Sequence, residues 1–337
     1  LRQLERRNDL FRPTPWPVGA NFLSFYSVFN VRNLGLEVAE KLEAELGEEQ
    51  HMYIDLCERD WEALPDPDPP LTVGIDGGYV HARDGDNRKA GWFEVIVAKS
   101  LSETEAAKRI AFVNQYDQKP KRRLFEMLQA QGLQMNQDIR FLSDGGDTVR
   151  DLQLYLSPQA EHLLDWFHLT MRITAIKQMA KGLPTDPALP DILSEMDSVK
   201  WYLWHGNVFD ALRRLETLDF DLECYEGHEA LRVQKVWQAI HDFQYYITVN
   251  EPFIPNYGER YRYGERISTA FVEATVNEVI SKRMVKKQQM RWTKRGAHLL
   301  LQVRVQTLND DLRDIFCRWY PDMATTDPEA QVLPLAV

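Results

Sequence analysis

Leu71, Val73 and Ile75 alternate with Thr72, Gly74 and Asp76, a period of two that predicts a strand with one apolar face buried and Asp76 on the other. Short β-rich segments follow at Trp92–Ala98 and Ile110–Asn114, then helical spacing over Lys121–Gln131. Ile139–Leu142 predicts a fourth strand ending at Ser143 and Asp144, Asp147–Leu156 a helix, and His162–Phe167 a fifth strand. Upstream, Val38, Leu42 and Leu46 recur among glutamates before Gly47, which predicts a surface helix with a glycine stop. The Pro-Asp run at 65–70 excludes regular structure and reads as a linker. From Leu169 to Arg266, Trp, Leu and Tyr recur at helical intervals with no strand pattern. The helix holding Glu273 then returns to the sheet, followed by a basic turn and an apolar helix over Ala297–Val305.

The element order β-β-β-α-β-α-β, three strands able to meander and then strands separated by helices, matches a ribonuclease H-like layout: an α/β fold whose mixed sheet carries helices on its faces. The chain then divides into an N-terminal helical region at 1–70, read as part of a DNA-binding region, and a sheet domain at 71–168 plus 266–304. An all-α insertion occupies 169–265 and a C-terminal tail 305–337.

Composition narrows the function. With 337 residues and 44% hydrophobic content the chain can bury one large core or two smaller ones. Cys57, Cys224 and Cys317 are too far apart for a disulfide framework or a CxxC metal site, which suits a reducing cytoplasm. No apolar run approaches the roughly 20 residues of a membrane span, and a chain beginning at Leu1 reads as one whose N-terminus is incomplete. The formal charge is −11, yet Ser281–Arg304 holds eight Lys or Arg and no acid. A cationic patch on an anionic body suits contact with phosphate backbone, near the nucleoid, through Lys282, Arg283, Lys286, Lys287, Arg291, Lys294 and Arg295. Trp292 is placed to stack on an unpaired base or to pack in the core. A solvated helix face is the plain alternative for the basic run.

Asp76 in mid-strand and Asp144 at a strand end become neighbours in such a sheet. Converging carboxylates raise each other's pKa unless a divalent cation neutralises them, and oxygen ligands favour Mg²⁺. A turn or cap role is the ordinary alternative for either aspartate alone. Glu273 and Glu278 compete for a third ligand position. Glu273 falls at the edge of the stripe formed by Val272, Val276, Val279 and Ile280, whereas Glu278 lies roughly 140° round from it. Asp165 and His168, in Asp-Trp-Phe-His, suit a supporting pair in which His168 orients a phosphate or ligand. A helix cap or a satisfied core histidine is the competing reading.

The segments LTVGIDGGYV, FEVIVAKS, KPKRRLF, FLSDGGDTVRDL, HLLDWFHLTMR, KWYLWHGN, FIPNYGERYR, ISTAFVEATVNEVISKRMVKKQQMRWTKRGAHLLLQVR and RWYPDM resemble, in order, DDE transposases of bacterial insertion sequences, specifically the ISKra-four group. The resemblance covers about residues 37 to 323. It implies a ribonuclease H-like catalytic domain, a helical insertion before the last catalytic residue, and cut-and-join chemistry on double-stranded transposon ends and target DNA. By motif it assigns Asp76, Asp144 and Glu273 as catalytic metal ligands, and matches Asp165 and His168 to an Asp-x-x-His signature whose histidine supports the site. The expected mechanism uses two Mg²⁺ or Mn²⁺ ions about 4 Å apart, with water as nucleophile for cleavage and a freed 3′-hydroxyl for strand transfer. Synapsis of two ends implies a homodimer or higher assembly on DNA. The chain departs from the family in residues 1–33, which read as neither a zinc module nor a helix-turn-helix.

Two rivals remain. A non-catalytic DNA-binding protein derived from a transposase would bind DNA without Mg²⁺ and without nicking. An actin-like sugar or acetate kinase could use the Asp-Gly-Gly turns as phosphate loops, but the chain lacks a Gly-Gly pair after Gly146 and leaves the basic segment without a role.

Overall fold

The computed structural model describes residues 28–54, 64–83, 91–157, 159–227, 230–285 and 291–322. Helix α1 (Val28–Glu45) precedes strands β1 (Leu71–His81), β2 (Trp92–Leu101) and β3 (Lys108–Val113), then α2 (Pro120–Gln129), β4 (Ile139–Ser143), α3 (Asp147–Leu156) and β5 (Glu161–Leu164). Helices α4 (Trp166–Ala180), α5 (Ile192–Trp204), α6 (Val208–Glu223), α7 (Leu231–Asn250) and α8 (Tyr257–Arg262) follow. The chain then returns through α9 (Ala270–Val276), a π-helical stretch (Asn277–Val285), α10 (Lys294–Leu308) and α11 (Leu312–Trp319).

The strands form one mixed sheet in the order β3-β2-β1-β4-β5. β1 pairs antiparallel with β2, and β2 with β3, while β4 lies parallel to β1 and β5 parallel to β4. This α/β architecture agrees with the element order read from the sequence. The period-two pattern of β1 sends Leu71, Val73 and Ile75 into a core with Leu124 and Leu128 of α2 and Leu152 and Leu156 of α3. On the opposite face Val80, Val95, Val97 and Ala111 pack against Val279, Ile280 and Met284 and against Ala297 and Leu301 of α10. β2 is apolar on both faces because both are covered by helices.

The stretch from α4 to α8 buries its own core, with Leu169, Ile173 and Ile176 of α4 against Val199, Leu203, Leu215, Ile240 and Phe243. Polar caps set its boundaries: Asp191 accepts from Ser194 N, Asn207 from Asp210 N and Asn256 from Glu259 N. The expected all-α region is therefore a packed unit with helix starts written in Asp and Asn.

Three expectations need correction. β5 ends at Leu164, and Trp166 and Phe167 begin a helix because Asp165 caps it. The proline run at 65–70 does lack regular structure, as expected, and is pinned to the loop before β4, where Asn136 donates to Pro65 O at 2.9 Å and Gln137 to Pro69 O at 2.8 Å. The chain beyond residue 305 is not only a tail, since α11 packs Leu312 and Phe316 with Leu299 and Val303 of α10 and Val38 and Ala39 of α1. Finally, the Glu273 helix does not continue regularly; from Asn277 it widens to π geometry, which changes the angle at which each following side chain leaves.

Candidate active site

The register of β1 against β4 sets Gly74 opposite Leu142. Asp144 follows the last residue of β4, so that register points Asp76 toward it, and the Asp144 charge acts on Asp76. Thr72, Gly74, Asp76, Gly78 and Val80 share one face of β1, and helix α9 with its π extension crosses that face. It lies close because the two glycines are bare: a Cβ on Gly74 would meet Val272 Cγ2 at 2.2 Å, and one on Gly78 would meet Ile280 Cδ1 at 2.8 Å. Asp76 sits between these two contacts, under the helix that carries Glu273.

Burial raises the Asp76 pKa; the Gly77 N–H and the His168 charge oppose this, and the charges of Asp144 and Asp165 add to it. Asp76, Asp144, Asp165 and His168 thus form one electrostatic group. Asp76 Oδ1 accepts from Gly77 N at 2.8 Å and Asp144 Oδ1 from Gly146 N at 3.1 Å. Glu273 is exposed on α9, and among the described residues no hydrogen bond or ion pair engages its carboxylate. Glu278, the competing glutamate, is half-buried, and its backbone carbonyl accepts from Arg304 Nη2 at 2.5 Å.

Asp165 differs from the other three acids. It is fully buried; Oδ1 accepts from Phe167 N at 2.8 Å and Thr269 N at 3.2 Å, and Oδ2 from Thr269 Oγ1. His168 Nδ1 stands 3.2 Å from Asp165 Oδ2. This hydrogen-bonding contact raises the His168 pKa; burial opposes it, and the charges of Asp165, Asp76 and Asp144 reinforce it. Asp165 has no oxygen left for a metal. It holds His168, the start of α4 and the start of α9 together.

Residues far along the chain, not singled out from the sequence, brace Asp144. Tyr246 on α7 donates its hydroxyl to Asp144 O at 2.8 Å. Burial raises the Tyr246 pKa despite the nearby Arg172, so the phenol remains a donor. One turn along, Asn250 fills the space beside Gly145, whose φ of +79° favours glycine. Arg150 ties this contact by donating to Gly145 O at 2.9 Å and Asn250 Oδ1 at 2.6 Å. The Gly-Gly after Asp144 and the spacing of Tyr246 and Asn250 are visible in the sequence, but only the tertiary contact connects them.

The basic segment divides. Lys282 and Arg291 are exposed. Lys286 and Lys287, and the Arg283 side chain, lie outside the described residues. Lys294 donates to Gln115 Oε1 at 2.5 Å and Arg295 pairs with Glu40 of α1. Arg304 donates inward to the Val279 and Glu278 carbonyls. Trp292 is half-buried against the α10 core and extends β1: its N–H donates to His81 O at 2.9 Å, and its carbonyl accepts from Arg83 N at 2.9 Å. Packing is therefore its observed role.

A second group has metal-ligand chemistry: ligand atoms of Glu43, Asp117 and His298 all lie within 4.8 Å of one another. A cation is already there. The buried Arg123 donates to Asp117 Oδ2 at 2.9 Å and Glu43 Oε2 at 3.0 Å, so its guanidinium supplies the neutralising charge. Among the described residues no helix is long and apolar enough to cross a membrane.

No family model and no curated protein matches the chain. Among solved structures, a crystal structure of NurA aligns with 76% of this chain and 74% of its own at 13% identity and a TM-score of 0.15. A crystal structure of NurA with manganese aligns with 75% and 74% at 11% identity and a TM-score of 0.14. Superpositions this loose carry no structural argument.

Proposed function

We propose that this chain is a DDE-type DNA transposase, in which a ribonuclease H-like domain cleaves strands at insertion-sequence ends and joins them to target DNA. The carrying observation is that Asp76 on β1 and Asp144, just past the end of the parallel strand β4, lie close enough for their charges to act on each other, beneath a helix that carries the exposed Glu273 and is held close by Gly74 and Gly78. Hydrogen-bond accounting supports the roles. Asp76 and Asp144 each commit one oxygen to a backbone N–H and keep the other, Glu273 keeps both, and Asp165 keeps none. A half-buried pair of this kind suits hard cations with oxygen ligands, so Asp76, Asp144 and Glu273 would hold Mg²⁺ or Mn²⁺. When bound, such ions supply charge stabilisation at the phosphorus and a more acidic water or 3′-hydroxyl.

The chain's own groups do the rest. With Nδ1 turned to Asp165, His168 has Nε2 left to donate to a phosphate oxygen. Partial burial of Asp76 limits access of bulk water on its side of the carboxylate pair. Lys282 and Arg291 are free at the surface to follow duplex backbone. Assembly of two copies across paired ends follows from the need for one site per end.

The test is Mg²⁺-dependent nicking and joining of a supercoiled plasmid carrying candidate element ends, with Asp76→Asn and Glu273→Gln beside the wild type. The reading requires that both variants lose cleavage and retain DNA binding. Cleavage that survives Asp76→Asn, or wild-type binding without cleavage, overturns it.

A further inference from the structure

An exposed cation, Arg172, stands beside the brace on Asp144. Arg172 lies one helical turn beyond His168, so both leave the same face of α4, while Leu169, Ile173 and Ile176 turn inward to the helical core. Its guanidinium carbon stands 4.0 Å over the centroid of the Tyr246 ring. Tyr246 is the residue whose hydroxyl holds Asp144 O. Among the described residues Arg172 forms no ion pair, although Asp144 and Asp165 are both close enough to act on the Tyr246 hydroxyl.

Contact with the ring holds the guanidinium in place, and its five N–H donors exceed the one hydrogen bond it makes with the Tyr246 hydroxyl. An arginine held over the Tyr246 ring near Asp144 and Asp165, yet in an ion pair with neither among the described residues, is presented to something brought from outside. A phosphodiester fits the remaining donors, because two N–H donors of a guanidinium match two phosphate oxygens. We propose that Arg172, stacked on Tyr246, is a phosphate clamp that grips the DNA backbone adjacent to the Asp76–Asp144 pair. This rests on the transposase reading for its substrate and adds a residue that the sequence reading did not single out. Tyr246 is the positioning residue. It joins the clamp to Asp144 O, so strand and carboxylate are held against the same phenol.

The test measures equilibrium binding of a fluorescent DNA duplex across a salt series, and nicking of supercoiled plasmid in Mg²⁺, for wild type, Arg172→Ala, Arg172→Lys and Asp76→Asn. Arg172 is exposed, so its variants are expected to melt with the wild type. The proposal expects Arg172→Ala to weaken binding about tenfold and to reduce the slope of log K against log salt by ~0.9, the value for one phosphate. Arg172→Lys should recover the salt slope but not the full affinity, because an ammonium cannot make the bidentate contact. Wild-type slope and affinity in Arg172→Ala overturn the clamp even if Asp76→Asn abolishes nicking and upholds the catalytic reading. A reduced slope in Arg172→Ala supports the clamp even if the wild type fails to nick. A wild type that binds no DNA overturns both.

Discussion

A single methyl group tests how closely the Glu273 helix must approach β1. In Gly74→Ala the new Cβ would stand 2.2 Å from Val272 Cγ2 and 2.7 Å from Phe271 Cζ. Val272 is fully buried and β-branched, so it has little rotamer freedom with which to yield, and the helix must lift. At Gly78 the nearest atoms are Ile280 Cδ1 at 2.8 Å and Val276 Cγ1 at 3.3 Å. The first of these is the end of a rotatable chain and can swing aside. Overpacking costs about 1–3 kcal/mol, and replacing a strand glycine returns about 0.5–1 kcal/mol by restricting the unfolded chain. Gly74→Ala should therefore lose about 1–2 kcal/mol net, while Gly78→Ala stays within about 0.5 kcal/mol of wild type. Urea unfolding followed by tryptophan fluorescence measures both. Val272→Ala alone removes two methyl groups and costs about 1.6 kcal/mol or more. Combined with Gly74→Ala it opens the space the new methyl needs, so the double variant should be more stable than the sum of the singles by about 1 kcal/mol. Nicking should fall in Gly74→Ala and recover in the double variant, because the lift moves Glu273 away from Asp76. If Gly74→Ala proves as stable as Gly78→Ala, or if the two substitutions simply add, the close-approach argument fails.

Metal addition separates the two acidic groups: Mn²⁺ should raise the melting temperature of the wild type and of Glu43→Gln but not of Asp144→Asn, with about 2.7 kcal/mol of stabilisation at 100 times Kd. An equal loss in Glu43→Gln would move the metal to the Arg123 cluster. Asp165→Ala should cost about 2–4 kcal/mol in urea unfolding, since it removes a helix cap and leaves buried Thr269 donors unpaired; a cost under about 0.5 kcal/mol would deny it the joining role. Burial pushes the Glu43 carboxyl up, but the hydrogen bond with His298 and the Arg123 charge outweigh it and hold the pKa at about 2 instead of 4.5. A depressed folded-state pKa contributes stability that is present above pH 4.5 and lost as pH falls toward 2, so Glu43→Gln should flatten the acid limb of a stability-versus-pH curve in that window. An unchanged limb would remove Glu43 from the acid-sensitive set.

The sheet was legible because its signal is local. Alternation over 71–76 set the faces of β1, and the spacing of later strands matched their observed bounds within a few residues. β5 was overrun at its C-terminal end because Trp166 and Phe167 have β propensity, and the hydrogen bond from Phe167 N to Asp165 Oδ1 overrides it. The candidate acids were legible as types in motifs, but their division of labour was not, since Asp165 and Asp144 look equivalent until the donors to each are counted. The basic segment misled in part for the same reason. Arg304 and Arg295 carry the same charge as Lys282, yet one binds π-helical carbonyls and the other pairs with Glu40. Tyr246 and Asn250 were invisible because they act across about 100 residues of chain on a loop whose shape only Gly145 hints at.

The helical insertion is fastened to the sheet at both its ends and at its middle. Chain departure and return are joined by Trp166 N–H donating to Ile267 O at 3.1 Å and by Asp165 receiving both donors of Thr269. The middle is joined by Tyr246 and Asn250 on α7. These attachments fall on the residues that flank the acids: Thr269 begins the helix of Glu273, Asp165 orients His168, and Tyr246 holds Asp144. Asp144 thus depends on contacts made by a segment that contributes no metal ligand, while Glu273 and His168 depend on the Asp165–Thr269 junction where that segment leaves and returns. Removing the insertion and closing residues 168 and 266 with a short linker should therefore abolish more than substrate binding. Thr269 and Asp165 would keep each other, but the Asp144 turn would lose its phenol and the Asn250 plug, and Arg150 would lose the Asn250 acceptor. Mn²⁺ binding should weaken even in a shortened chain that retains the sheet. If the shortened chain binds Mn²⁺ as tightly as the full chain, the insertion serves DNA alone and the brace on Asp144 has no part in forming the site.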